Sequence, residues 1–293
     1  MTAEKVALGR MLYYDRRIAA QARSACVDCH PADHGYAGRE ATQDFHRNVP
    51  TVWNRAYGGP EFWDGAAGTS LEELVAGVLR FVNEGARRPF EARLRDIPGY
   101  RRAFHLAFGR DPDRDLAVEA IATYCRTLLA GDSPYDRSAM DDSARRGRTL
   151  FMGRAGCAGC HPPPLFTDEA FHVTGIGQED PQRRFYPEGS RGKPDFPELG
   201  RFNVTHRLED RGAFKTPTLR ELADTGPYMH DGRFATLGEV VDYYDRGGLG
   251  ALGQDPLIHP LGLAAQDKAD LVAFLKALSS SPLPEKAPEL PKS

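Results

Sequence analysis

The sequence predicts a mainly α chain built of two similar halves, and three observations carry that prediction. A pentapeptide occurs twice, as Cys26-Val27-Asp28-Cys29-His30 and as Cys157-Ala158-Gly159-Cys160-His161. An amphipathic run that fits a short helix precedes each copy, around Val6, Leu8, Met11 and Leu12 and again from Ala144 to Phe151. Each half then closes on another helical pattern, Leu116 to Ala130 and Asp267 to Leu278.

Cys-x-x-Cys-His is the attachment pattern of a c-type haem, in which two thiols bond the vinyl groups and the histidine takes one axial iron position. Two copies 131 positions apart, each followed by Pro, imply two covalently bound haem c groups. A redox dithiol would not need the trailing histidine, and zinc half-sites would more naturally stand ~15–20 residues apart. Helix, motif, loops and closing helix is the usual build of a small cytochrome c domain. The expected fold is therefore two cytochrome c-like haem domains with long irregular loops: residues 1–137, residues 138–281, and an extended or frayed tail at 282–293 that carries Pro282, Pro284, Pro288 and Pro291.

Between the motifs, the segment from His30 to Asn54 is rich in Gly, Asp and Arg and reads as loop. Trp63-Asp64-Gly65 is a turn signal. Ser70-Leu71-Glu72-Glu73 is a capping box, and the helix it opens runs through Leu71, Leu74, Val75, Val78, Leu79 and Val82 toward a stop at Gly85. Glu84 then falls at the C-terminal end of that helix, where the dipole disfavours a negative charge, as a proton shuttle needs; a solvated helix-end glutamate is the plainer reading. Helical patterns follow from Phe90 to Phe108, interrupted at Pro98, and from Leu116 to Ala130, closed by Gly131. Gly175 to Arg211 has little periodicity and reads as a functional or haem-covering loop. Thr236-Leu237-Gly238-Glu239 is a second capping box, which sets Val240, Val241 and Tyr244 on one helix face.

At 293 residues the chain has room for about two ordinary domains, each with its own core. A formal net charge of -3 argues against nucleic acid or an anionic membrane as a partner. No run of about 18 apolar residues exists, so no membrane insertion is expected. Four of the five cysteines belong to the motifs, and Cys125 sits on an apolar helix face as a small core hydrophobe. Haem attachment in bacteria happens outside the cytoplasmic membrane, so a periplasmic protein is expected. Its export signal would precede this chain, because Met1 to Lys5 lacks an apolar h-region.

On these residues the chain resembles the bacterial diheme cytochrome c peroxidases and the related MauG-type enzymes, from the Leu8-Gly9-Arg10 lead-in to the last helix. Arg47-Asn48-Val49-Pro50-Thr51 with Trp63-Asp64-Gly65 is similar to the family's N-terminal signature. Lys215-Thr216-Pro217-Thr218-Leu219-Arg220 with Pro227-Tyr228-Met229-His230-Asp231-Gly232 is similar to its C-terminal one. The resemblance implies that His30 is the proximal ligand of a peroxidatic haem, open or openable to hydrogen peroxide, and that His161 holds an electron-transfer haem. It implies that Trp63 is the aromatic stepping stone between them, that Glu84, seven positions after Gly77, is the distal acid, and that Asn48, Thr225 and Pro227 bind a calcium ion through one side-chain oxygen and two carbonyls. His230 would hydrogen-bond a haem propionate or a neighbouring loop.

For the sixth ligand of the second haem, Met229 is tempting, as the only methionine after His161. In the family the ligating position falls fourteen residues after the motif's histidine, which here is Tyr244, as in the MauG-type branch. Tyr244 is preferred; a core tyrosine is the structural alternative. The family's distal Gln and Pro are Leu74 and Val78 here, an apolar pocket, and no histidine stands at the inhibitory distal position, although His34 or His46 could swing in. The implied activity is peroxide-dependent oxidation of a protein substrate. A peroxidase with a small redox-protein donor and a plain diheme electron carrier are the alternatives.

Overall fold

The computed structural model describes residues 1–39, 47–177, 199–280 and 285–292, and it is mainly helical. Helix α1 (Ala3–Tyr14) starts at Thr2, whose hydroxyl accepts from the Lys5 N–H, and α2 (Cys26–Cys29) is the single turn of the first motif. The Ser70/Glu73 capping box forms as expected and opens α3 (Leu71–Val82). Next come α4 (Phe90–Arg95) and α5 (Pro98–Phe108), the latter restarting at Pro98, whose missing N–H costs nothing at a first helical position. Helix α6 (Arg114–Cys125) ends five residues before the expected stop at Ala130. The cause is Asn54, whose side chain donates to the Ala130 carbonyl at 2.9 Å and accepts from its N–H at 3.0 Å, taking that backbone out of the helix.

The second half repeats the plan with α7 (Asp142–Met152), α8 (Phe202–Thr205), α9 (Leu237–Asp245) behind the Thr236/Glu239 box, and α10 (Ala265–Lys276). Strands β1 (Phe171–Val173) and β2 (Ala213–Lys215) pair antiparallel, Phe171 opposite Lys215, and were not anticipated, since three residues are too few to show alternation. Of the expected Gly175–Arg211 loop, residues 178–198 lie outside the described residues; the remainder includes α8.

Two apolar cores form. One gathers Leu8, Leu12, Tyr13, Val75, Leu79, Phe104, Ile121 and Tyr124; the other Phe151, Phe166, Leu237, Val241, Leu271, Phe274 and Leu278. Each is built on one close helix crossing. A methyl group on Gly9 would stand 1.9 Å from the Ala120 carbonyl oxygen, and one on Gly147 would stand 1.9 Å from that of Asp270, so only glycine lets α1 meet α6 and α7 meet α10. Cys125 is buried in the first core, as expected.

The tail is extended but not frayed where it is described. Glu285 pairs with Arg10 at 2.6 Å and accepts from the Tyr36 and Tyr124 hydroxyls, and the Pro291 carbonyl accepts from Arg17 at 2.8 Å. The end of the chain thereby crosses back onto the first half; Pro282 and Pro284 lie outside the described residues.

Candidate active site

Both motif histidines are set by the same local device. The His30 Nδ1 donates to the Tyr36 carbonyl at 3.0 Å, and the His161 Nδ1 donates to that of Phe166 at 2.9 Å. With Nδ1 holding the proton, the Nε2 lone pair is left for an axial metal bond. Burial lowers the proton affinity of both rings, that of His161 down to about 4, so each is neutral at neutral pH, the form that ligates.

Two threonines hold the carbonyl one residue before each acceptor. The Thr51 hydroxyl donates to the Gly35 carbonyl and accepts from the Trp53 N–H; the Thr218 hydroxyl donates to that of Leu165 and accepts from the Arg220 N–H. Tyr36 and Phe166, one residue on, both adopt left-handed backbone, φ 52° and 55°, which turns their carbonyls toward the histidines. Residues Asn54 and Glu221 follow the two latches at φ 61° and 59°, and their N–H groups donate to the carbonyls of Leu128 and Leu278 at the two closing helices. This repeat around Thr51 and Thr218 was not recognised in the sequence. The shared signal is a Pro-Thr pair, Pro50-Thr51 and Pro217-Thr218, too short to stand out.

None of the four motif cysteines is in a disulfide, and burial pushes the thiols of Cys26 and Cys157 up to about 12 and about 11. The donor set, two thiols and one neutral imidazole at each motif, fits a covalently attached haem.

The helices behind the two capping boxes differ. Tyr244 is half-buried on α9, its ring edge-on to Tyr243 at 5.4 Å, and its hydroxyl makes no hydrogen bond to a protein group among the described residues. Burial pushes its phenol up, and Tyr243, Cys157 and Cys160 add to the rise, so the phenol lies within electrostatic reach of the second motif's thiols. Met229 is half-buried in a turn at φ 71°. On α3, Leu74, Gly77 and Val78 are half-buried, and a methyl on Gly77 would meet nothing within 4 Å. Glu84 is exposed, two residues past the helix end, with its N–H donating to the Phe81 carbonyl. His34 is tied by Nε2 to the Gly226 carbonyl at 2.6 Å, and His46 lies outside the described residues.

Between the halves lies a buried polar and aromatic seam. The Trp63 indole N–H donates to the Asn48 carbonyl at 2.7 Å, and its ring stands 6.3 Å from that of His230, on which Phe214 stacks at 3.6 Å. Asn48 donates its own N–H to the His230 carbonyl at 2.7 Å and its side-chain amide to that of Pro227 at 2.5 Å. The Asn48 Oδ1 is buried with no hydrogen-bond partner among the described residues. An orphaned oxygen beside the Pro227 carbonyl, with buried Thr225 close in sequence, is a donor set that fits a hard cation. The ion cluster Arg55, Glu61, Glu169 and Lys215, also bridging the halves, carried no sequence signal.

No helix among the described residues is long and apolar enough to cross a membrane. The family profile described as "Di-haem cytochrome c peroxidase" matches residues 3–144. The cytochrome-c peroxidase IdrP1 of Pseudomonas sp. (strain SCT) is 39% identical over 322 residues, which cover 99% of this chain and 85% of that protein. The methylamine utilization protein MauG of Methylorubrum extorquens is 34% identical, over 99% of this chain and 82% of its own. A crystal structure of a MauG-like protein associated with microbial copper homeostasis superposes with a TM-score of 0.84 at 29% identity, covering 95% of this chain and 90% of that one. The chain therefore belongs to the di-haem cytochrome c peroxidase family, enzymes with two c-type haems that use hydrogen peroxide as oxidant.

Proposed function

We propose that this enzyme reacts with hydrogen peroxide at the centre held by Cys26, Cys29 and His30, and passes electrons from the centre held by Cys157, Cys160 and His161, whose far side is closed by Tyr244. The observation that carries the reading is the Tyr244 hydroxyl, without a hydrogen-bond partner among the described residues and within electrostatic reach of the second motif's thiols, set against apolar Leu74 and Val78 on the capped helix of the first half. When bound, haem supplies the redox-active iron at both places. Tyr244 as a phenolate ligand favours oxidised iron, which suits an enzyme that stores oxidising equivalents for a protein substrate, as in the MauG-type branch. The peroxidase reading, with a small cytochrome as donor, is favoured by the higher identity to IdrP1, 39% against 34% for MauG.

In this reading Glu84 takes the proton from the peroxide and returns it to the leaving oxygen, and Trp63 carries electrons between the halves. Asn48, Thr225 and Pro227 hold calcium at the seam, where His230 and Phe214 pack, and the seam keeps Trp63 fixed. Residues 1–137 and 138–281 are the two haem-bearing units, with 282–293 as a tail, and the mature protein works in the periplasm.

The ferric absorption spectrum tests the proposal. One high-spin and one low-spin haem are expected; two low-spin haems inert to peroxide would leave only an electron carrier. In stopped-flow mixing with peroxide, Glu84→Gln should slow the first spectral change by about 100-fold, the scale of a lost proton shuttle, and an unchanged rate removes Glu84 from the mechanism. Oxidation of reduced cytochrome c at a steady rate would favour the peroxidase reading over the MauG-type one.

A further inference from the structure

Around His30 the first core holds phenols that the proposed mechanism does not use. Tyr13, Tyr36 and Tyr124 are each no more than 2% exposed. The Tyr13 hydroxyl donates to the His30 carbonyl at 2.9 Å, and its ring lies 5.2 Å from that of Tyr124 and 5.6 Å from that of half-buried Tyr14. The Tyr124 and Tyr36 hydroxyls both donate to one oxygen, Oε2 of Glu285, while Oε1 of that carboxylate pairs with Arg10 at 2.6 Å. An anchor for the tail would need only the Arg10 pair. Here the tail instead brings a carboxylate, paired with Arg10, to a phenol buried one ring from the His30 backbone.

A phenol that loses an electron becomes a strong acid. Inside a low-dielectric core the electron therefore leaves only where the proton has an acceptor within hydrogen-bond reach. Burial alone makes the Tyr124 phenol hold its proton hard, with Glu285 and Tyr36 adding to the effect. The preformed hydrogen bond removes that obstacle, because the proton need only shift along it.

We infer that Tyr124 is a redox-active residue: it gives one electron, by way of the Tyr13 ring, to the His30 centre after peroxide has oxidised it, while its hydroxyl proton passes to Glu285. The inference rests on the reading of the His30 centre as peroxidatic. Reduction of hydrogen peroxide to two waters takes two electrons and two protons; Tyr124 supplies one electron and is left as a neutral phenoxyl radical, the other electron comes from the His161 centre, and both protons come from solvent. One electron from the external donor, with return of the proton from Glu285, restores the phenol. Tyr14, at the edge of the cluster, is where that electron enters.

The test uses the full-length holoenzyme, mixed with one equivalent of hydrogen peroxide, freeze-quenched, and read by electron paramagnetic resonance and absorption on the same samples. A tyrosyl radical is expected in the native protein. It should be lost in Tyr124→Phe, which keeps the ring and its packing, and reduced about tenfold or more in Glu285→Gln. Covalent haem content and thermal midpoint, equal to native, certify that the variants fold. A haem spectral change with no radical, or with a radical that persists in Tyr124→Phe, overturns the inference while the peroxidatic reading stands. No spectral change in the native protein overturns both.

Discussion

The two halves of this molecule hold their motif histidines in the same way and differ in what their capped helices carry. Thr51 and Thr218 latch equivalent carbonyls, Tyr36 and Phe166 turn the accepting oxygen toward His30 and His161, and Gly9 and Gly147 make equivalent helix crossings. The capping boxes at Ser70 and Thr236 start α3 and α9 in the same register. Eight positions after each cap stands Val78 in the first half and Tyr244 in the second. One residue type at one repeated position thus separates a face that offers no ligand atom from one that offers a phenol.

Substitutions at the repeated positions put that contrast to the test. The largest effect is expected from removing one motif at a time. Cys26→Ser with Cys29→Ser should leave one covalent haem and abolish the peroxide reaction, whereas Cys157→Ser with Cys160→Ser should leave one haem that still responds to peroxide; haem staining and stopped-flow absorption read both. If both double variants lose the reaction equally, the division of labour is wrong. Next, exchanging the distal residues should exchange the spectra. Tyr244→Val should add a high-spin component, and Val78→Tyr should remove the one already present. Smaller again, Gly9→Ala and Gly147→Ala each force a methyl against a carbonyl and should cost about 1–3 kcal/mol, measured by chemical denaturation. A clearly unequal pair would show that the two crossings are not equivalent.

What the sequence made legible was local. The pentapeptides announce their chemistry within five residues, and the boxes at Ser70 and Thr236 announce their helices within four. Val78 and Tyr244 could be placed because they ride on those helices. The rest depends on partners far along the chain. Helix α6 stops early because of Asn54, 76 positions away from Ala130, and the tail is ordered by Tyr36 and Tyr124, 249 and 161 positions away from Glu285. Helical periodicity carries no information about such partners. The strands β1 and β2 were missed for a different reason: their pairing is three residues long.

The smallest expected difference between the halves is in their response to acid. Asp15 in the first half is buried, and burial alone would raise its carboxyl. The hydrogen bonds from Arg17 and from the Tyr100 hydroxyl at 2.6 Å outweigh that and hold it below the ordinary range. In the second half Asp270 accepts from Arg146 at 2.7 and 2.8 Å, Ser143 at 2.6 Å and Gln266 at 2.9 Å, and is depressed further. A carboxylate whose folded value is depressed adds stability that is fully present above its unfolded value of about 3.9 and is lost as pH falls toward the folded one. Both halves should therefore weaken below about pH 4, and Asp270→Asn should flatten the acid limb more than Asp15→Asn. Arg146 is 55% exposed against 27% for Arg17, so added salt should erode the Asp270 contribution first. Urea midpoints measured against pH at low and high salt decide it: an acid limb indifferent to Asp270→Asn would mean that the Arg146 pair holds the α7–α10 crossing no better than solvent does.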